Sequence, residues 1–231
     1  GALNFPAAEV DDEKLAIGLT MFGVTTPCVN AITDRLGSQY DCLVFHATGT
    51  GGRSMERLLE QGFISGLVDM TTTEIADLLF GGVLAADPDR LDVVARTGAP
   101  WVGSVGALDM VNFWAPETIP ERYRDRKFYR HKPNVALMRT TPSENAEMGR
   151  WIANKLNRCG GPVRLLLPEK GVSGLDIEGG EFWDPQADAA LFDAIRDSVD
   201  DQNRLVLLPC HINDPEFADA AAEIFQTLMG T

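Results

Sequence analysis

Short apolar runs alternate with segments of helical spacing along most of the chain. The runs are LAIGLTMF (15–22), DCLVFHA (41–47), GLVDM (66–70), APWVGSVG (99–106), NVALMRT (134–140), VRLLLPE (163–169) and RLVLLPCH (204–211). Each is almost continuously apolar, the pattern of a strand buried on both faces. Between them, apolar residues recur every three or four positions and predict amphipathic helices. One stripe is Val29, Ile32 and Leu36, and a second is Met148, Trp151, Ile152 and Leu156. A third is Leu191, Phe192, Ile195 and Val199, and a fourth is Phe217, Ala221, Ile224 and Leu228. Strands and helices alternating through short turns predict βαβ units. The expected fold is α/β and Rossmann-like, a doubly wound, mostly parallel sheet with helices on both faces.

Helix boundaries are marked as well. Thr26-Pro27, Asp87-Pro88, Thr141-Pro142, Asp184-Pro185 and Asp214-Pro215 each place a capping oxygen before a proline that needs no N–H. Thr71–Glu74 and Thr141–Glu144 fit the capping-box pattern, and Gly62, Gly98 and Gly160 sit where helices should stop. Two segments break the rhythm. Residues 107–133, rich in Asn, Trp, Pro, Arg and Tyr, are expected to cross over or cover the sheet. Residues 168–186 form a long glycine-rich loop, a length that tends to go with function. Without internal repeats or linker composition, residues 1–231 are expected to form one α/β domain.

The net charge, 20 − 34 = −14, disfavours nucleic acid and anionic lipid as partners, since both call for a basic surface. It leaves room for a phosphorylated small ligand, because amides at a helix start hold phosphate without net positive charge. No apolar stretch approaches the ~20 residues of a membrane span. The N-terminus lacks a secretory pattern and a starting Met, so the chain is expected to be processed or cut from something longer. Cys28, Cys42, Cys159 and Cys210 lie far apart without a CxxC pair, which suggests a reducing, cytoplasmic setting.

In open parallel sheets ligands bind beyond the carboxyl ends of the strands, where the polar motifs of this chain fall. After the first strand, Thr25 and Thr26 offer hydroxyls, and Cys28 falls in a first helical turn that favours thiolate. A capped helix with an inert thiol is the plainer reading there. After the second strand, Thr48, Gly49, Thr50, Gly51, Gly52, Arg53 and Ser54 compose a plausible anion cradle, although it is neither a Walker loop nor GxGxxG. The capping box accounts for Thr71 and Glu74 without a ligand, and Thr72 and Thr73 remain available at that helix start. Asp109 and Asn112 either orient a ligand or tie down the crossover segment. The tract Arg122–Pro133 is a basic island, with Tyr123, Phe128 and Tyr129 interleaved, suited to nucleotide contact or to a subunit surface. Glu169, Lys170, Ser173 and Asp176 lie on the long loop, and His211, Asn213 and Asp214 on the turn after the last strand. His211 is the best general acid/base candidate and Asp214 reads as a helix cap. His46 and His131 are the other histidines, and no metal site is expected from them.

The strings GLTMFGVTTPCV, LVFHATGTGGRSME, LVDMTTTEIADLLFGGV, SVGALDMVNF, LMRTTPSEN, GVSGLD and HINDPEFADA run in order from about Leu15 to Phe225. Together they resemble the uncharacterised bacterial, fungal and plant family with an ATP-binding domain like that of the tomato protein conferring resistance to tomato mosaic virus. The resemblance implies a protein of two α/β lobes, this chain being similar to the second, with a missing N-terminal lobe as its partner. It implies nucleotide binding, with ATP as cofactor and Mg²⁺ alongside it. It transfers no catalytic residues, and the plant member's antiviral action is not carried over.

Three functions follow in order of expectation. The first is a nucleotide- or phosphate-binding module. The second is an enzyme, of hydrolase or transferase type, acting on a phosphorylated or carboxylated metabolite, with His211 or Cys28 reacting and Arg53 or Lys170 holding the anion. The third is an interaction lobe forming a homo-oligomer through the basic tract.

Overall fold

A computed structural model describes residues 14–132 and 134–230, with the side chains of His131 and Lys132 outside the description. Pro133 of the basic tract and the N-terminal segment therefore lie outside the described residues. In chain order the elements are β1 (Leu15–Met21), α1 (Thr26–Leu36), β2 (Tyr40–His46), α2 (Thr50–Glu60), β3 (Leu67–Thr71), α3 (Thr73–Phe80), α4 (Asp92–Thr97) and β4 (Trp101–Gly106). There follow β5 (Met110–Phe113), β6 (Phe128–Lys132), β7 (Val135–Arg139), α5 (Pro142–Leu156), β8 (Val163–Pro168), α6 (Pro185–Ser198), β9 (Leu205–Leu208) and α7 (Pro215–Met229).

Six strands form a sheet in the order β2-β1-β3-β4-β8-β9, with every pairing parallel. β1 thus lies inside the sheet, β2 adds on one side, and the later strands grow outward on the other, a doubly wound pattern. Strand alternation sends neighbouring side chains to two cores. Leu67, Trp101, Leu165 and Leu167 face one layer with residues of α2 to α6. Val68, Val102 and Leu166 face the other, where α1 and α7 pack through Val29, Ile32, Phe217 and Phe225. Burial on both faces is why β1, β3, β4 and β8 read as unbroken apolar runs, whereas the border strands β2 and β9 are only partly buried.

One run belongs elsewhere. NVALMRT was expected in the main sheet, yet β7 is the middle strand of a small antiparallel sheet, β5-β7-β6. Residues 107–132 contribute its other two strands, whose Val111 and Phe113 join the same core layer as Leu67 and Trp101. β7 is apolar because Ala136, Leu137 and Met138 are buried, and an apolar run does not distinguish parallel from antiparallel burial.

The cap signals divide similarly. Thr141 forms its capping box with Glu144, and Asp184 accepts the amides of Gln186 and Ala187. Asp87-Pro88 starts no helix, since α4 begins at Asp92 and Asp87 pairs with Arg53 instead. Gly62 and Gly98 do follow helix ends with positive φ, but α5 stops at Leu156 with Asn157 as its cap, three residues before Gly160. No helix among the described residues is long and apolar enough to cross a membrane.

Candidate functional site

The glycine-rich turn after β2 is built around a protein carboxylate. Gly49 has φ +76° and donates its buried amide to Glu74 Oε2 at 2.7 Å. A Cβ on Gly51 would run into the His46 carbonyl, and one on Gly52 into the Glu74 carboxylate. The glycines therefore have a packing explanation: α2 starts hard against β2 and α3. The expected cradle residues turn to one another. Thr48 Oγ1 donates to His46 O, Thr50 Oγ1 to Thr48 O, and Ser54 Oγ to Thr50 O at 2.8 Å. Arg53 donates to Asp87 Oδ1 at 2.7 Å.

Glu74 corrects the capping-box expectation at 71–74. Its carboxylate points into the protein, where it also accepts Arg90 Nε at 2.6 Å. Arg90 is 2% exposed and donates further to Asp69 and Glu56, each at 2.8 Å. Burial opposes the guanidinium charge, but Asp69, Glu56 and Glu74 overcome it and raise its pKa well above the usual range. Thr71 and Thr72 do not cap α3 either. Their hydroxyls donate to Thr20 O and Ser104 O, both at 3.1 Å.

The strand order reverses between β1 and β3, the usual place for a ligand in such sheets. Here that crevice is stitched by hydroxyls. Thr25 Oγ1 lies 2.8 Å from Thr71 Oγ1, and Thr20 Oγ1 donates to Asp69 at 2.6 Å and accepts the Thr71 amide at 3.0 Å. Thr26 Oγ1 donates to Phe22 O. The N-terminus of α1 is occupied too, since the Cys28 amide donates to Asn213 Oδ1. Cys28 itself is 1% exposed, and burial pushes its pKa up to about 12. This agrees with the plainer reading of an inert thiol, since loss of hydration outweighs the helix end.

Asp109 and Asn112 tie the crossover segment down. Asn112 donates Nδ2 to Asp77 Oδ1 at 3.1 Å, while its amide donates to the same oxygen at 2.8 Å. Burial pushes Asp77 up to about 7 against these bonds. In the basic tract, Tyr123 is buried and donates its hydroxyl to Phe80 O, with Arg122 stacked over its ring. Phe128, Arg124 and Arg130 line a cavity of about 220 Å³ on that sheet.

Beyond β8 and β9 the arrangement is open. The long loop carries Lys170, Ile177, Glu178 and Trp183, and the turn after β9 carries His211 and Asp214. These residues line a groove of about 450 Å³, which shares Lys170 and Trp183 with a neighbouring cavity of about 240 Å³ reaching Asp188 and Arg196. Trp183 is 46% exposed. Among the described residues, the exposed Lys170 ammonium has no ion-pair partner.

His211 borders the groove, but its ring is committed. Nδ1 accepts the Asn213 amide at 3.0 Å, so Nε2 carries the hydrogen and donates to Ser173 O at 2.8 Å. As placed, the ring joins two loops and has neither nitrogen free for proton transfer. Asp214 corrects its helix-cap expectation in a related way, for its carboxylate accepts the His211 amide rather than an amide of α7. His46, stacked on Phe22, ends the strand at one sheet edge, whereas His211 follows the strand at the opposite edge. Among the described residues no His, Cys, Asp or Glu cluster suits a metal ion.

Of the expected ligand residues, Lys170 and His211 meet at the groove, and Ser173 lies just behind it, donating to Asp109 at 2.7 Å. Thr48–Ser54 lie at the end of β2, on the other side of the sheet. Trp183 and Asp188 were not singled out by sequence. A tryptophan in a glycine-rich loop after a strand is a signal that could have found the first. Asp188 gives none, because its partner Arg139 is 49 residues away.

The model of the uncharacterised protein family (UPF0261) C-terminal domain matches residues 14–229. A UPF0261 protein of Rhizobium meliloti is 63% identical over 227 residues, 97% of this chain and 57% of that protein. The ToMV resistance protein Tm-1 of Solanum lycopersicum is 49% identical over 219 residues, 94% of this chain and 29% of its own length. A UPF0261 protein of Clostridium tetani is 47% identical over 231 residues, 99% of this chain and 57% of that protein. The chain spans just over half the length of these bacterial relatives and under a third of the tomato one.

Proposed function

The chain belongs to the uncharacterised protein family UPF0261, as its C-terminal domain, and from that premise we propose that it binds a small phosphorylated ligand, ATP foremost, in the groove beyond β8 and β9. The observation that carries the reading is that a half-exposed indole, Trp183, and the Lys170 ammonium, without an ion-pair partner among the described residues, line the same groove. An aromatic face stacks on a base, and a cation beside it meets a phosphate. The groove also lies at the carboxyl edge of a parallel sheet, where such folds place ligands.

Glu169, Glu178 and Asp214 line the groove as well, and three carboxylates repel a bare triphosphate. Mg²⁺ held mainly by the phosphates offsets that repulsion, so the ligand form proposed is Mg·ATP. The Gly49–Ser54 turn is the weaker place, because Glu74 takes its Gly49 amide and Asp87 its arginine. The extra length of the relatives supports an N-terminal lobe as partner within the whole protein.

Calorimetric titration with ATP, with and without Mg²⁺, tests the reading. Binding should raise the melting temperature increasingly with ligand concentration, and Lys170→Ala and Trp183→Ala should each weaken it. Unchanged heat and melting temperature at millimolar ATP reject it. Binding that survives both substitutions and is lost in Arg53→Ala moves the site to the Gly49–Ser54 turn.

A further inference from the structure

Arg139, at the end of β7, is 5% exposed and faces carboxyl groups from separate parts of the fold. Its Nη2 lies 3.2 Å from Asp188 Oδ1 on α6 and 3.5 Å from Asp176 Oδ1 on the long loop. Its Nε donates to Phe182 O at 2.7 Å, and its Nη1 to Thr140 Oγ1 at 3.1 Å. Asp109, in the turn after β4, adds a third carboxyl. One of its oxygens accepts Ser173 Oγ, and the other is buried without a partner.

One buried cation neutralises one carboxylate. The remaining carboxyls must keep protons or leave buried charge uncompensated. Asp188 and Asp176 each place an oxygen against the same Nη2 of Arg139, so two carboxyls share one donor nitrogen and ionising both would set like charges side by side. Burial first, and then the Asp176 charge, push Asp188 up to about 8 and Asp109 up to about 7. Asp188 is the member of this group that lines the cavity beside Lys170 and Trp183.

We propose that Asp188 is the acid of the groove: a neutral carboxyl, supported by Asp176 and Arg139, that donates a hydrogen bond to a phosphate or carboxylate oxygen of the bound ligand. The ligand part of this inference rests on the function proposed above. The charged groups around Asp188 are Arg139 from β7, Asp176 from the loop, Asp109 behind them, Lys170 and Glu169 from the end of β8, and Arg196 on α6. Lys170 and Arg196 attract an anion at the same place where an ionised Asp188 would repel it. Occupancy of the site by an oxyanion is therefore linked to the proton on Asp188.

Two measurements on the whole chain test this. The first follows ¹³C-labelled aspartate carboxyls by NMR from pH 5 to 10 without ligand. One carboxyl titrating above neutrality, and missing in Asp188→Asn, is expected. The second compares Mg·ATP binding at pH 7 and pH 9. Affinity should fall about ten-fold, the change that follows from about one pH unit beyond the titration point. Asp188→Asn, an uncharged donor of the same shape, should bind equally at both. The absence of any titration above pH 6 that disappears in Asp188→Asn overturns the inference, as does equal wild-type affinity at both pH values. Should Asp188→Asn fail to fold, the wild-type affinities at the two pH values decide alone. A carboxyl that titrates as expected while ATP fails to bind supports the acid and rejects only the nucleotide reading.

Discussion

Arg90 illustrates how much one residue organises here. It reaches β3 through Asp69, α3 through Glu74 and α2 through Glu56, and Trp101 Nε1 donates to the second oxygen of Asp69 at 3.3 Å. The cation and its partners are nearly dry, so removing the cation strands buried negative charge. Arg90→Met should therefore cost about 3–5 kcal/mol in urea denaturation, far more than loss of a surface pair. An ordinary surface-mutation effect, below about 0.5 kcal/mol, would refute this account. The same commitment explains why Thr71, Glu74 and His211 read differently in the sequence. Capping and acid/base roles are local patterns, whereas the actual partners of Glu74 are Gly49, 25 residues before it, and Arg90, 16 residues after it. No spacing rule encodes such contacts.

At the scale of elements, the junction of β2 and α2 is the sharpest constraint. Gly52 faces a Glu74 side chain already locked by Arg90 and the Gly49 amide, so it has no room to retreat. Gly52→Ala should destabilise the fold by about 1–3 kcal/mol despite the better helix propensity of alanine, as a lower melting temperature would record. A gain in stability would mean that Glu74 is freer than its contacts imply. The strands β1, β3, β4 and β8 were legible because they are covered on both faces, β2 and β9 because apolar side chains persist along them even where exposed, and α5 and α6 because caps and apolar stripes coincide at Thr141 and Asp184. The small sheet was not. β5 has four residues, β6 lies in a basic tract, and the membership of β7 depends on which neighbours it pairs with, a long-range fact. For the site, the carboxyl-end rule reached Lys170, but neither periodicity nor motif spacing brings Trp183 and Asp188 to the same groove.

The whole molecule carries several carboxyls that folding keeps protonated. Asp77, at about 7, joins Asp109 and Asp188, all raised chiefly by burial. In the unfolded chain such groups release their protons near pH 4. Between there and about pH 8 the folded state holds more protons, so unfolding free energy falls as pH rises, by up to about 1.4 kcal/mol per unit for each group. Urea denaturation should show the protein more stable at pH 6 than at pH 8.5, by about 2 kcal/mol or more. Asp188→Asn should flatten part of that slope, and a stability that rises over the interval would contradict the burial argument.

The order of the main sheet has one more consequence. Among the described residues no strand pairs with the outer side of β2 or of β9, and Leu43, Val44 and Leu207 add exposed apolar surface at those borders. Open margins of this kind invite copies to zip together into ribbons. The surplus of fourteen negative charges is the natural brake, since molecules that repel one another seldom bring bare margins into register. Concentrated salt shortens the reach of that repulsion, and the molecule's acidity then protects its solubility least.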